Sequence, residues 1–317
     1  MRTWKASLTS RAPGMTPDHI EEARQFCFRE KFVGVGWGIV DAPVAFDTPA
    51  AYQAAAAPLF DETSRAWRTA HNQLLAAEIN DLVWSQSIQS GFWIGRISGE
   101  WRYRTEAPFC THDLFQVRTC EWVRAGTLDA VPTTVRNCFI GNQRAFNQIH
   151  NGGALTTFLS ARSYLLNGGT NLAEPIAPAD AIPETIARAL RIVAHDDLED
   201  LVGMYLQHQL GWHIIPSSCK KSTANTEFVL RSGNGETAYV QVKSGNHTIQ
   251  QLGTFPNDLR QFFVFQANGI FDPNVVYPAQ RNRLTVISLD ELAGWIQRNL
   301  HFLPRSTRIL IDLVLGG

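Results

Sequence analysis

The chain has 317 residues, of which 44% are hydrophobic and 18% charged. That is enough apolar material for real cores, which excludes a disordered chain, and the length favours two domains over one. The formal net charge of −1, about +1 before residue 170 and −2 after it, excludes a global basic field, so a polyanionic partner has to be held by local arginine clusters.

From Phe32 the run Phe-Val-Gly-Val-Gly-Trp reads as a short strand whose glycines let another chain approach closely. Residues 48–60 and 64–79 are Ala-rich or carry apolar residues at helical spacing (Trp67, Leu74, Leu75, Ile79) and predict helices. Strands are expected at 81–86, 92–98, 101–104, 114–123 and 133–140, with Ser98-Gly99-Glu100 as a tight turn. Short strands at such spacing suggest a small, strongly curved β-barrel with helices. A further helix is expected over 155–167.

Residues 168–183 carry two glycines and three prolines without periodicity and read as a linker between domains 1–167 and 184–317. Helices are then expected at 184–193 and 196–210, the second with Leu198, Leu201, Val202, Tyr205 and Leu206 on one face and Gly211 at its end. Strands are expected at 212–216, 226–231, 237–243, 261–266 and 284–288, with a helix from Asp290 to Asn299. This alternation predicts an α/β or α+β domain around a mixed sheet flanked by helices.

The five cysteines (Cys27, Cys110, Cys120, Cys138, Cys219) are odd in number and widely spaced, with no C-x-x-C. They argue against a disulfide framework and a zinc ribbon and point to the reducing cytoplasm. Cys110, His112 and Cys120 match no standard zinc spacing. No apolar run approaches the roughly 20 residues that span a bilayer, and the first residues lack the apolar stretch of a signal peptide.

Chemistry concentrates between His195 and Asn246. Gln241 and Lys243, two apart on a strand, project from one face. Glu227 lies across a hairpin from them, and one step of register decides which face it takes. A three-residue loop, Gly233–Gly235, pairs Ser232 with Glu236 and Glu227 with Gln241, placing Glu227 on the Lys243 face. A two-residue Asn-Gly turn, which the dipeptide slightly favours, pairs Glu227 with Val242 and sends it to the other face.

Grouped, these residues form a minimal hydrolytic centre for phosphodiesters. Glu227, the Gln241 side-chain oxygen and the Val242 carbonyl can hold a hard cation such as Mg²⁺, with Mn²⁺ as a substitute. The cation activates a water and neutralises phosphate charge. Lys243 orients that water or stabilises the transition state, and Glu199 closes the site from its helix. Asp196, Asp197 and Asp200 instead suit the helix N-terminus. Taken singly, Glu227 is better read as an exposed strand carboxylate and Lys243 as a solvated edge-strand lysine, and only the ordered set together favours a site.

The ordered set Leu198-Glu199-Asp-Leu-Val, Gly211-Trp-His-Ile-Ile, Thr226-Glu227-Phe-Val-Leu and Val240-Gln241-Val-Lys243-Ser-Gly resembles the PD-(D/E)xK nuclease superfamily over residues 184–300. Its Mrr-like restriction endonuclease branch is nearest, because Gln there replaces the acidic residue before x-Lys. The chain departs from the pattern at Glu227, where the family carries Asp. In the first half, Gly34-Val-Gly-Trp37, Asp81-Leu-Val-Trp84 and Phe92-Trp-Ile-Gly-Arg-Ile-Ser-Gly-Glu-Trp-Arg-Tyr103 resemble the PUA-like superfamily and its EVE modified-base readers over residues 1–165. That resemblance implies a flipped base held between aromatic rings. Trp37 and Trp84 lead as pocket candidates, with Trp93, Trp101 and Asp81 beside them. Arg96, Arg102, Arg104, Arg118 and Arg124 are the expected phosphate contacts. Trp67 suits the core, and His71 and His112 read as surface or capping residues.

Together the two resemblances imply a modification-dependent restriction endonuclease acting on double-stranded DNA that carries a modified base, a modified cytosine among the candidates. Cutting two strands with one site per chain implies a homodimer or transient pairing. The alternatives are a nucleic-acid-binding protein with an inactive nuclease fold and an RNA-directed enzyme.

Overall fold

In the computed structural model, which describes residues 1–8, 14–39, 46–60, 66–140, 144–150, 153–173, 184–219, 226–245, 249 and 260–316, the chain is α+β with two mixed sheets. It divides into two units, Met1–Ala179 and Asp180–Gly317. Residues 174–183, most of the segment read as a linker, lie outside the described residues.

The first unit runs β1 (Thr3–Ala6), α1 (Pro17–Glu30), β2 (Phe32–Val35), α2 (Pro49–Phe60), α3 (Ala66–Ala76), β3 (Leu82–Ser87) and β4 (Gly91–Tyr103). It continues with α4 (Ala107–Thr111), β5 (Gln116–Gly126), α5 (Thr133–Phe139), β6 (Phe146–Gln148) and α6 (Gly153–Leu166). The sheet has the order β2-β5-β4-β3-β1-β6 and curls into a half-barrel. Its neighbours are antiparallel except for β1 and β3. One core carries Trp4, Tyr52, Trp67 and Val117, and a second carries Leu82, Trp84, Ile94 and Tyr164.

Helix α1 starts on Thr16, whose side chain accepts from the His19 amide, with Pro17 in its first turn. Its buried Glu21 clamps the β3–β4 turn, accepting from Ser87 Oγ and, at 3.0 Å, from the Ile88 amide. Burial alone would raise this carboxyl, but hydrogen bonds from Ser87, Gln25, Ile88 and Arg24 hold it down at about 2.

Two expectations for this unit are corrected. Residues 133–139 form helix α5, not a strand: Pro132 sets an extended entry, and Thr133 and Val135 face the core. Ser98–Glu100 is not a turn between two strands, because β4 runs through it. Ile97 pairs with Cys120 and Trp101 with Arg118, so β4 carries two extra residues there as a bulge. A Cβ on Gly99 would lie 2.7 Å from Thr119 Oγ1, so the bulge needs a residue without a side chain.

The second unit runs α7 (Ile186–Ala189), α8 (His195–Leu210), β7 (His213–Ile214), β8 (Phe228–Arg231), β9 (Thr237–Lys243), β10 (Gln261–Gln266), β11 (Leu284–Ile287), α9 (Leu289–Arg298) and α10 (Arg305–Val314). The helix expected over 184–193 is only the single turn α7. Sheet order is β11-β10-β9-β8-β7, with β9, β10 and β11 parallel and the β7–β8 and β8–β9 pairs antiparallel. Phe228, Leu230, Val240, Val242, Phe263 and Phe265 are buried along this sheet. Helix α8 buries Leu198, Leu201, Val202, Tyr205 and Leu206 and ends on Gly211 at φ +69°. A Cβ on Gly203 would lie 3.0 Å from Ile214 Cδ1 and 3.5 Å from Phe228 Cζ, so this glycine lets α8 settle onto β7 and β8. No helix of the described residues is long and apolar enough to cross a membrane.

Candidate functional site

The β8–β9 hairpin takes the three-residue register. Phe228 pairs with Val240 and Arg231 with Thr237, and the Ser232 amide donates to the Glu236 carbonyl at 3.0 Å. A type I′ Asn-Gly turn would need positive φ at both central residues. Only Gly235, at φ +87°, adopts it, and Asn234 does not. Ser232 selects this loop: its hydroxyl accepts from the Glu236 amide at 3.0 Å and donates to Asn234 Oδ1. Glu227 therefore falls on the Lys243 face, and Lys243 Nζ donates to Glu227 Oε1 at 3.0 Å.

Helix α8 brings two more groups to this point. His195 and Glu199 are one turn apart on the same helix face, and His195 Nε2 lies 2.8 Å from Glu199 Oε1. One ligand atom each from His195, Glu199 and Glu227 fall within 4.8 Å of one another. The Glu199 hydrogen bond raises the pKa of His195 and outweighs burial; Glu227 adds to the rise and Lys243 opposes it. Asp196 and Asp197 occupy the first turn of α8, as read, whereas Asp200 lies beyond it. Lys243 is the last residue of β9, so the group sits at the carboxyl end of the parallel strands, where open α/β sheets hold ligands.

Gln241 is only 4% exposed, and its Oε1 has no hydrogen-bond partner among the described residues. Leaving a buried acceptor unpaired costs about 1–3 kcal/mol, which favours a cation or donor at this oxygen. Val242 buries its side chain on the opposite face, so only its backbone carbonyl is available to the site. Of the residues expected to hold a cation, Glu227 falls in a group with His195 and Glu199 whose ligand atoms lie close together, and Gln241 offers a buried, unpartnered oxygen. His195 is the member that the sequence reading leaves without a role, although its spacing of four from Glu199 was legible.

The first-unit candidates fare differently. Trp84 is fully buried and its indole donates to Ser160 Oγ at 3.0 Å, so it is core and not pocket. Asp81 is buried as well: it accepts from the Arg2 amide at 2.7 Å, Trp4 Nε1 at 2.8 Å and the Glu78 amide at 3.0 Å, which leaves it committed to the fold. Trp101 is buried with its indole directed to Gln116. Trp93 is half-buried and stacks on Phe28 at 4.5 Å. Trp37 packs against the edge of the first-unit core without being enclosed by it. It is half-buried, sits at φ +69° and meets Phe60 edge-on at 5.6 Å. A cleft of about 450 Å³ lies elsewhere in this unit, lined by Arg2, Thr3, Gln148, His150 and Thr157 among others, and by none of these tryptophans.

The arginines are also sorted by the fold. Arg96 is buried, donating to Asn80 and Glu121 at 2.7 Å each. Arg118 is buried, donating to the Gly99 carbonyl at 3.0 Å and to the Ala77 carbonyl. Neither can meet a phosphate without unfolding its surroundings. Arg104 is paired with Glu106 at 3.0 Å, while Arg102 and Arg124 are exposed.

Trp67 is core, as read. His112 occupies the C-cap of α4. His71 is neither surface nor cap: it is fully buried, with Nδ1 2.6 Å from Gln116 Oε1. Burial lowers its pKa, and Nε2 has no partner among the described residues. Its spacing of four from Trp67 was the signal that put it on the buried face of α3. No protein-family model, no curated protein and no solved structure matches this chain.

Proposed function

We propose that the chain is a modification-dependent endonuclease. In this reading the second unit has a PD-(D/E)xK, Mrr-like nuclease fold and hydrolyses phosphodiester bonds with a divalent cation. The first unit, PUA- or EVE-like, holds a modified base flipped from duplex DNA, and two chains pair to cut both strands. The observation that carries the reading is the 3.0 Å contact between Lys243 and Glu227, with Glu199 within ligand distance of that carboxylate. Independent stretches of sequence supply these groups, and the hairpin register that unites them is the one the chemistry requires.

Glu227, Glu199 and the Gln241 side-chain oxygen would hold the cation. Once bound, it supplies charge neutralisation at the phosphate and lowers the pKa of a water. Lys243 has three donors, one of which is used on Glu227. The other two can hold the attacking water and a phosphoryl oxygen, so the growing negative charge meets a fixed ammonium. Glu227 keeps that ammonium in place. On the reader side, Trp37 supports the proposal through its partly exposed ring, and Arg102 and Arg124 are the arginines able to reach flanking phosphates.

The test is digestion of duplex DNAs bearing different cytosine and adenine modifications, an unmodified duplex and a matched RNA, with Mg²⁺, Mn²⁺ or chelator. The expected result is metal-dependent cutting of one modified DNA, reduced about 10²–10³-fold in Lys243→Ala, the scale of losing one preorganised donor. Undiminished cutting by that variant overturns the catalytic assignment. Binding without cutting assigns the chain to recognition alone, and cutting of RNA alone reassigns the substrate.

A further inference from the structure

We infer that His195 is a metal ligand, and that its imidazole makes this a mixed nitrogen–oxygen centre selecting a transition-metal dication over Mg²⁺. The inference deepens the nuclease reading and rests on its placement of the cation beside Glu227.

Geometry carries it. Two ligands at about 2.1 Å from one ion lie roughly 3 Å apart when adjacent and about 4.2 Å when opposite. His195 Nε2 and Glu199 Oε1, at 2.8 Å, already have the spacing of adjacent ligands. The ligand atoms of all three residues lie within 4.8 Å of one another, against about 4.2 Å for opposite ligands, so a shift of some tenths of an ångström closes the set. The side chains of His195, Glu199 and Glu227 are 41%, 26% and 18% exposed, which leaves the group open to an ion from solvent.

The existing hydrogen bonds leave room for the ion. Lys243 engages Oε1 of Glu227, so the second oxygen of that carboxylate is left for a metal. An ion bound to the imidazole displaces the proton that His195 shares with Glu199, and that proton leaves to solvent. A second observation points to the same ligand. The unpartnered Oε1 of Gln241, 96% buried by its 4% exposure, lies on the strand face that carries Lys243.

The donor set then decides the metal. Mg²⁺ prefers an octahedral shell of oxygens and dehydrates reluctantly, so an imidazole gives it little. First-row transition ions gain from imidazole nitrogen while still accepting carboxylates. An i,i+4 ion pair with no metal role contributes little at this exposure and would not require the Glu227 carboxylate alongside.

The experiment uses the full chain stripped with chelator, with Mn²⁺ as the probe. Paramagnetic resonance counts bound ions and reports nitrogen coupling to the bound metal, and Mg²⁺ competes. The expected result is one Mn²⁺ site with imidazole nitrogen coupling. In His195→Ala the coupling vanishes and Mn²⁺ affinity falls at least about tenfold, a scale set by losses of metal-site groups. Mg²⁺ affinity changes far less, so the preference collapses. His195→Gln, which keeps an amide at the helix start, behaves the same way and guards against a folding defect. Absent nitrogen coupling in the native chain, coupling that persists in both variants, or an unchanged Mn²⁺/Mg²⁺ ratio overturns the inference. A nitrogen-coupled site in a chain that cuts no nucleic acid supports it while removing the nuclease reading. Cutting sustained equally by Mg²⁺ without nitrogen coupling does the reverse.

Discussion

Trp84 and Trp37 carry the same ring into different work, and their surroundings decide which. Trp84 is fully enclosed and spends its indole N–H on Ser160, so its apolar area stabilises the interior between β3 and α6. Truncation to alanine is expected to cost about 3–5 kcal/mol, read as a lowered urea midpoint. Trp37 is half-buried and held by backbone geometry at φ +69°. Trp37→Ala is expected to lower the midpoint less than Trp84→Ala does, because its ring is only partly enclosed, and to weaken binding of the modified DNA by about 1–3 kcal/mol, the usual loss for one base–aromatic stack. Equal loss of stability in both variants would place Trp37 in the core and leave the base pocket without an aromatic wall. Asp81 follows the logic of Trp84: four donors converge on its carboxylate, which no base edge can then reach.

Among the elements, the β8–β9 loop has the largest leverage, because one residue of register inverts every side chain after it. Deleting Gly233 shortens the loop to two residues and is expected to send Glu227 away from Lys243. Inserting two glycines preserves side-chain parity and costs only about 0.5 kcal/mol in loop entropy. Mn²⁺ binding is thus expected to survive the insertion and fail in the deletion. Retained binding in the deletion would mean that the carboxylate at 227 is not a ligand. This hairpin also marks the limit of what was legible in the sequence. The residue types and their order were readable, but the loop conformation turns on the Ser232 hydroxyl bonding Asn234 and Glu236, a local interaction that competes with the Asn-Gly preference. Strand β9 and helix α8 were readable from periodicity, and β10 from its run of aromatic and β-branched residues. Strand β1 was not, because all four of its residues are buried and no alternation appears. Helix α5 was misread because Thr133, Thr134 and Val135 have strand propensity, which Pro132 and burial against the core override.

For the molecule as a whole, the net charge of −1 means that nucleic acid is not drawn in by a broad field, so affinity depends on which cations the fold leaves free. Of the five arginines expected at phosphates, Arg96 and Arg118 are internal, and Arg104 is tied to Glu106. Arg102 and Arg124 are exposed. Each phosphate contact contributes roughly −0.9 to the slope of log affinity against log salt on duplex DNA. Arg102→Ala is therefore expected to make that slope shallower by about 1 and to leave folding intact. Arg118→Ala is expected to do the opposite, stranding the Gly99 and Ala77 carbonyls. That stranding costs about 1–3 kcal/mol of stability, with the salt slope unchanged once the folded fraction is accounted for. Salt titrations of DNA binding beside urea titrations of folding separate the two roles. A slope that responds to Arg118 and not to Arg102 would mean that the nucleic acid lies on a different face of the first unit from the one proposed.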